Sequence, residues 1–241
     1  MTTGRFASHV HSEWSDDASW TLADIRTAFR RRGYDGVLLC EHDRGFSGQD
    51  WDAYREECAR LSDERFLLVP GIEYGDRENC VHIPVWGSVP FFGEGRDPGE
   101  VLQLASDHNG AAVLAHPWRR AAHERFDPTW AKHLVGVEIW NRKYDGVAPD
   151  RRAVALAGEH DLSGFVSLDF HTARQFYPLA TRIYVEGRLS PEAVHRSLLE
   201  GRWRPQFLRM SALRFTAGAP GAVLEALEVS RQAVRRAARI R

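Results

Sequence analysis

The stretch Phe6-Ala7-Ser8-His9-Val10-His11-Ser12-Glu13-Trp14-Ser15-Asp16-Asp17 decides how this chain is read. A short β-like run, Arg5–Val10, ends in two imidazoles two residues apart, and a carboxylate, Asp16, follows five residues later. Period-two alternation along a strand places His9 and His11 on one face. Taken alone, H-x-H recurs on many exposed strands, and Asp16 in a Ser-Asp-Asp loop could simply cap a helix. The reading turns on whether other strand ends deliver similar groups.

They do. Gly36–Cys40 runs into Glu41-His42-Asp43, and Phe66–Val69 runs into Pro70-Gly71-Ile72-Glu73. Val81–Trp86 carries His82, and Ala111–Ala115 leads to His116-Pro117. Val135–Ile139 contains Glu138 and leads to Asn141, while Gly164–Leu168 delivers Asp169-Phe170-His171. Helical spacing over Leu22–Arg32, Asp50–Leu61, Gly99–His108 and Arg151–Glu159 separates these runs. A further strand, Thr181–Val185, precedes a helix over Pro191–Glu200. Alternating strands and helices predict an α/β fold with a parallel sheet. Seven or so such units in this length fit a small barrel, whose C-terminal strand ends gather on one rim.

The bulk numbers agree with a globular protein. The 241 residues are 43% hydrophobic and 27% charged, with a net charge of −1 that gives no general pull toward nucleic acid or acidic membranes. Cys40, Cys58 and Cys80 form no C-x-x-C pair, which argues against a disulfide framework or a zinc–thiolate finger. No apolar run approaches the ~20 residues of a membrane span, and no signal-peptide core is seen. The expectation is a cytoplasmic protein with no membrane partner. Residues 1–205 read as a single barrel and 206–241 as a C-terminal helical extension, with a basic helix over Gly221–Arg241.

The strand ends supply six imidazoles, His9, His11, His42, His82, His116 and His171, and three carboxylates, Asp16, Glu73 and Asp169. This nitrogen and oxygen set suits Zn²⁺, Mn²⁺ or Fe²⁺ rather than Ca²⁺. Nine ligands exceed the roughly four to six positions of one ion, so two or three divalent ions sharing a carboxylate are expected. Ions ~3.5–4 Å apart can hold a bridging hydroxide and clamp phosphoryl oxygens.

These motifs, in this order from Phe6 to Ala173, resemble the PHP (polymerase and histidinol phosphatase) superfamily of metallohydrolases. The H-x-H-T-x-x-S-D-G opening stands as His9 to Asp17, and T-D-H-D as Cys40-Glu41-His42-Asp43. P-G-x-E is Pro70 to Glu73, followed by His82; A-H-P is Ala115 to Pro117, and S-D-x-H is Leu168 to His171. The resemblance implies a distorted seven-stranded (β/α)7 TIM-like barrel and a trinuclear site. By analogy His9, His11, Glu73 and Asp169 hold one ion. Glu73, as the bridge, with His82 and His116 holds a second, and Asp16, His42 and His171 hold a third. The departures are Ser12, Cys40-Glu41 and Leu168, of which Glu41 is placed to adjust a hydrogen bond orienting His42 or His171.

The implied activity is metal-dependent hydrolysis of a small-molecule phosphomonoester or nucleotide-like phosphate. The alternatives are a PHP-type hydrolase of a carboxylic ester, carbamate or amide, and a nucleic-acid-associated PHP module. For the latter the near-neutral charge is a weakness, so nucleic acid is not the expected partner. A cation at the rim is expected to clamp phosphate: Arg174 first, then Arg119 and Arg142, with Arg44 and Lys143 as further candidates. Glu13 and Trp14 are expected at the mouth of the site. Trp118, Trp140 and Phe170 could line a pocket or pack in the core. His108, His123, His133, His160 and His195 receive no role.

Overall fold

The alternation of apolar runs and amphipathic segments is realised over residues 1–239, which this computed structural model describes. The strands are β1 (Thr2–Val10), β2 (Gly36–Leu39), β3 (Glu41–His42), β4 (Leu67–Val69), β5 (Gly71–Gly75) and β6 (His82–Trp86). They continue as β7 (Ala111–Leu114), β8 (Leu134–Asn141), β9 (Gly164–Ser167), β10 (Leu179–Val185), β11 (Trp203–Phe207) and β12 (Met210–Ser211). The helices are α1 (Leu22–Arg31), α2 (Gly48–Leu61), α3 (Pro98–Asp107), α4 (Arg151–Glu159), α5 (Pro191–Leu199) and α6 (Gly218–Arg239). Side-chain caps open the first five: Thr21, Ser47, Asp97, Asp150 and Ser190 each accept from a first-turn backbone N–H.

Two six-stranded sheets result, ordered β12-β11-β10-β1-β2-β4 and β3-β5-β6-β7-β8-β9. Only Cys40 separates β2 from β3, and only Pro70 separates β4 from β5, so the chain passes twice from one sheet into the other. The far edge of the second sheet returns to β1: Leu168 and Phe170 N–H donate to Ser8 and His9 carbonyls (3.0 Å each), and His11 N–H donates to Phe170 O (2.9 Å).

The sheets are mixed, which corrects the parallel arrangement expected from the alternation. β5–β6, β6–β7, β1–β10 and β10–β11 pair antiparallel. The cause at β5–β6 is the turn Asp76–Val81, too short for the helical crossover that a parallel pair requires. β11 runs through residue 205, so the first sheet continues beyond it into β12.

An inner cluster takes residues from successive strands: Phe6, Leu38, Val69, Trp86, Val113, Phe165 and Ile183, capped by Trp203. It lies among the strands whose ends carry the polar groups, while a larger cluster packs the helices outside. Gly71 belongs to this packing. A Cβ there would lie 2.4 Å from Trp86 Cδ1 and 2.7 Å from Leu39 O. Its absence lets the Trp86 indole donate to Leu39 O (2.6 Å).

Helix α6 is anchored by one buried carboxylate. Glu228 accepts from Val147 N–H (2.9 Å), in the segment that follows β8. Residues 240 and 241 of the expected basic helix lie outside the described residues. No described helix is long and apolar enough to cross a membrane.

Candidate metal centre

Glu73, in the middle of β5, is 1% exposed and stands at the centre of five imidazoles. His82 Nδ1 lies 2.8 Å from its Oε1, His9 Nε2 3.1 Å and His116 Nε2 3.2 Å. His42 Nδ1 lies 3.0 Å and His11 Nε2 3.7 Å from its Oε2. Asp169 adds a second buried carboxylate, 3.7 Å from His116 Nε2, 3.8 Å from His11 Nε2 and 3.3 Å from His171 Nδ1. Eight of the nine sequence candidates therefore converge. Ligand-capable atoms lie within 4.8 Å of one another in the groups His9/His11/Asp169, His9/Glu73/His116 and His11/His42/His171.

The ninth candidate, Asp16, sits at the exposed edge, where it groups with Asp17 and His42 within the same 4.8 Å and both its oxygens accept from Arg44 Nη2 (2.6 and 2.8 Å). The carboxylate that meets the third pair of imidazoles is that of Asp17, whose Oδ1 is 3.2 Å from His42 Nε2 and 3.1 Å from His171 Nε2. The Ser-Asp-Asp loop offers two adjacent acids, and sequence could not say which one turns inward.

Backbone geometry aims these groups. His9, His116 and Asp169 all have left-handed φ, at 58°, 26° and 46°. Each such non-glycine residue costs about 1–3 kcal/mol, which persists where the surroundings over-determine it. The bonds from Phe170 N–H to His9 O (3.0 Å) and from His116 N–H to Glu138 Oε2 (3.0 Å) do so here. At His9 the β1–β2 register slips by a bulge between Ser8 and Val10, and β1 ends before His11. The bulge, rather than simple alternation, thus brings the two rings within 5.0 Å.

A second layer of buried carboxylates fixes the rings. Glu138 Oε1 lies 2.7 Å from His9 Nδ1, and its Oε2 accepts from Asn141 Nδ2 (2.8 Å). Glu41 accepts from Ser12 and Ser15, and Ser15 Oγ touches His11 Nδ1 (3.1 Å) and His42 N–H (3.1 Å). Glu41 therefore acts through Ser15 on His11 and on the backbone of His42, not on the rings of His42 and His171.

The charges are strongly mutual. Burial opposes a charged His9, yet Glu73, Glu138 and Asp169 raise its pKa well above the ordinary value. Burial opposes a charged His42 too, but hydrogen bonds to Asp17 and Glu73 outweigh it and raise its pKa to about 10. His11 is held well below the ordinary value by burial and by the neighbouring imidazoles His171 and His42. Burial pushes against ionised Glu73, but His82 and His9 keep its carboxyl well below the usual range.

The residues fit divalent ions. His9 Nε2, His11 Nε2 and His82 Nδ1 are buried, lie near Glu73 and have no hydrogen-bond partner among the described residues. Orphaned ring nitrogens beside ionised carboxylates are what a metal ion satisfies.

The cavity over this cluster has a volume of about 190 Å³, and its cationic lining is Arg44, Arg77, Arg119 and Lys143. Arg119 donates to Asn79 O (2.7 Å), Asn79 Oδ1 (3.0 Å) and Tyr144 Oη (3.0 Å), and reaches His82 Nε2 (3.1 Å). Lys143 Nζ lies 3.1 Å from Asp169 Oδ1 and 3.2 Å from His171 Nε2. The other favoured arginines are elsewhere. Arg174 is exposed after β9, and Arg142 lies half-buried 4.7 Å over the Tyr177 ring. Successive residues after a strand point to different sides, so Arg142 faces α6 while Lys143 faces the cavity.

Trp14 packs against Phe46 and Tyr54 and donates to Glu57 (3.1 Å), and Glu13 is exposed; neither lines the cavity. Trp140 and Phe170 are fully buried in the core, and Trp118 stacks on His123. The sequence shows Glu138 on its strand but assigns it no role, and gives no role to Asp17 or Tyr144 either. For Glu138 the signal was a carboxylate inside an otherwise apolar run.

No family model and no curated protein matches the sequence. Solved structures do match the fold. One is a two-domain protein from Bacteroides vulgatus containing a predicted PHP-like metal-dependent phosphoesterase, with TM-score 0.62 and 20% identity over 86% of this chain. The chain has the PHP-like fold. PsfC from Pseudomonas syringae superposes with TM-score 0.65 at 14% identity, over 97% of this chain and 100% of PsfC. The lesion-specific endonuclease EndoQ from Pyrococcus furiosus gives 0.57 at 16% identity, over 83% of this chain. The chain spans 65% of the Bacteroides protein and 56% of EndoQ.

Proposed function

We propose that this chain is a metal-dependent phosphoesterase that hydrolyses a small-molecule phosphomonoester at a cluster of two to three divalent ions. The supporting observation is Glu73: one buried carboxylate touching five imidazoles beneath a cavity edged by Arg119 and Lys143. The strands β1 to β9 are read as a distorted seven-stranded barrel, with β2–β3 and β4–β5 each counted as one interrupted strand. The Leu168–Phe170 bonds to β1 support that closure.

His9, His11, Glu73 and Asp169 would hold one ion, and Glu73, His82 and His116 a second. His42 and His171 would hold a third with Asp17, or with Asp16 after release from Arg44. When bound, zinc, manganese or iron supplies Lewis acidity toward a phosphoryl group and lowers the pKa of water. The chain's own part is to orient and neutralise. Glu138 and Ser15 hold the His9 and His11 rings. Arg119, braced by Asn79 and Tyr144, and Lys143 face the phosphoryl oxygens as fixed cations.

A cavity of about 190 Å³ lies below the roughly 300–1,000 Å³ of drug-sized ligand pockets, which favours a compact ester. The test compares para-nitrophenyl phosphate with para-nitrophenyl acetate, with and without added Mn²⁺ or Zn²⁺. Metal-dependent phosphate release with little acetate turnover is expected. The reverse preference would transfer the site to carboxylic ester or amide chemistry.

A further inference from the structure

Glu41 stands where the resembling motif has aspartate, and the proposed hydrolysis does not use it directly. Its side chain is fully buried, yet it carries several hydrogen bonds. Ser12 N–H (3.0 Å) and Ser15 Oγ–H (2.6 Å) donate to its Oε2, and Ser12 Oγ–H (2.7 Å) donates to its Oε1.

Ser15 makes this arrangement directional. A serine hydroxyl has one proton to give and two lone pairs to accept with. Burial pushes the Glu41 carboxyl up, while the bonds from Ser15 and Ser12 favour its ionised form; in that form it only accepts, so the Ser15 proton goes to Glu41. The two remaining contacts of Ser15 Oγ are His42 N–H (3.1 Å), which only donates, and His11 Nδ1 (3.1 Å). With its proton committed to Glu41, Ser15 can meet His11 only as an acceptor. A neutral His11 then carries its proton on Nδ1 and its lone pair on Nε2. That Nε2 is buried and without a hydrogen-bond partner among the described residues, 3.7 Å from Glu73 Oε2 and 3.8 Å from Asp169 Oδ1.

We infer that Glu41 is a positioning residue which, through Ser15, sets the His11 tautomer that presents Nε2 to a metal ion and at the same time ties down the backbone of His42. This rests on the metal reading of the site. The chain of contacts crosses from β3 to the loop after β1, so one carboxylate ties together two ligand-bearing segments. Removing Glu41 leaves the Ser15 proton without its acceptor, and it turns to His11 Nδ1. The imidazole then takes its proton on Nε2, where the lone pair is needed. Removing the Ser15 hydroxyl instead leaves His11 without either preference.

The test uses the full chain as wild type, Glu41→Ala, Ser15→Ala and Glu41→Asp. Histidine ¹⁵N NMR of the metal-free proteins reports the His11 tautomer, and calorimetric titration with Zn²⁺ reports stoichiometry and affinity. The wild type is expected as Nδ1–H. Glu41→Ala is expected as Nε2–H, with zinc bound at least about tenfold more weakly. Ser15→Ala should show a tautomer mixture with an intermediate loss, and Glu41→Asp should recover part of both. Ser15→Ala removes a single oxygen, so it carries the test if Glu41→Ala fails to fold. An Nε2–H tautomer in the wild type, or unchanged tautomer and zinc affinity in the variants that fold, overturns the inference. Absence of zinc binding by the wild type would count against the metal reading instead, and the metal-free tautomers would still decide the role of Glu41.

Discussion

His9 Nδ1 lies 2.7 Å from Glu138 Oε1, and both side chains are sealed from solvent. The contact leaves His9 Nε2 pointing toward Glu73 with no hydrogen-bond partner among the described residues. Glu138 also accepts from the His116 backbone and from Asn141, so one carboxylate orients two candidate ligands. Glu138→Gln should weaken metal affinity by about 10–100-fold, the usual cost of losing such a partner. Calorimetric titration with Zn²⁺ measures this, and wild-type affinity in the variant would refute it.

The cations at the rim separate cleanly. Lys143→Ala and Arg119→Ala each remove a charge that lines the cavity and, for the proposed phosphoester, should lower kcat/KM by about 10²-fold. Arg174→Ala alters an exposed side chain outside the cavity and should change stability by no more than about 0.5 kcal/mol, with little effect on kcat/KM. Steady-state kinetics on para-nitrophenyl phosphate ranks the three.

Metal uptake should release protons. Although burial opposes its charge, His42 is raised from 6.5 to about 10 by Asp17 and Glu73. In the metal-free protein the stability from this cation is complete below pH 6.5 and is lost as pH rises through about 10. A metal ion needs the neutral imidazole. Apparent metal affinity should therefore rise with pH across that window, and the loading enthalpy near neutral pH should depend on the buffer's ionisation enthalpy. Identical enthalpies in two such buffers would count against this charge state.

Gly71 is held by packing rather than by an unusual φ. Gly71→Ala would press a methyl against Trp86 and Leu39 O, an overpacking cost of about 1–3 kcal/mol. It would also shift Glu73, two residues on. Denaturant unfolding and zinc titration should both report the loss.

Much of the site was legible because each ligand closes or interrupts a short apolar run, and such runs are visible in one dimension. The helices were legible from spacing and from caps such as Thr21 and Ser190. What escaped depends on connection geometry. β5 is hidden because Pro70-Gly71 reads as a break in the apolar run ahead of Glu73, and with it the antiparallel pairing of β5 with β6 is hidden too. The choice between Asp16 and Asp17, and between Arg142 and Lys143, hangs on which way neighbouring side chains face. No pattern fixes that facing where the chain leaves a strand.

Glu73 is the proposed anchor of a cluster of divalent ions. Anomalous diffraction from crystals grown with Mn²⁺ or Zn²⁺ tests it most directly. Two or three peaks are expected, two of them bonded to Glu73 and the third, where present, between His42 and His171, with the Glu73 peaks lost in Glu73→Gln. Absence of anomalous density at Glu73 in metal-loaded wild-type crystals would contradict the account.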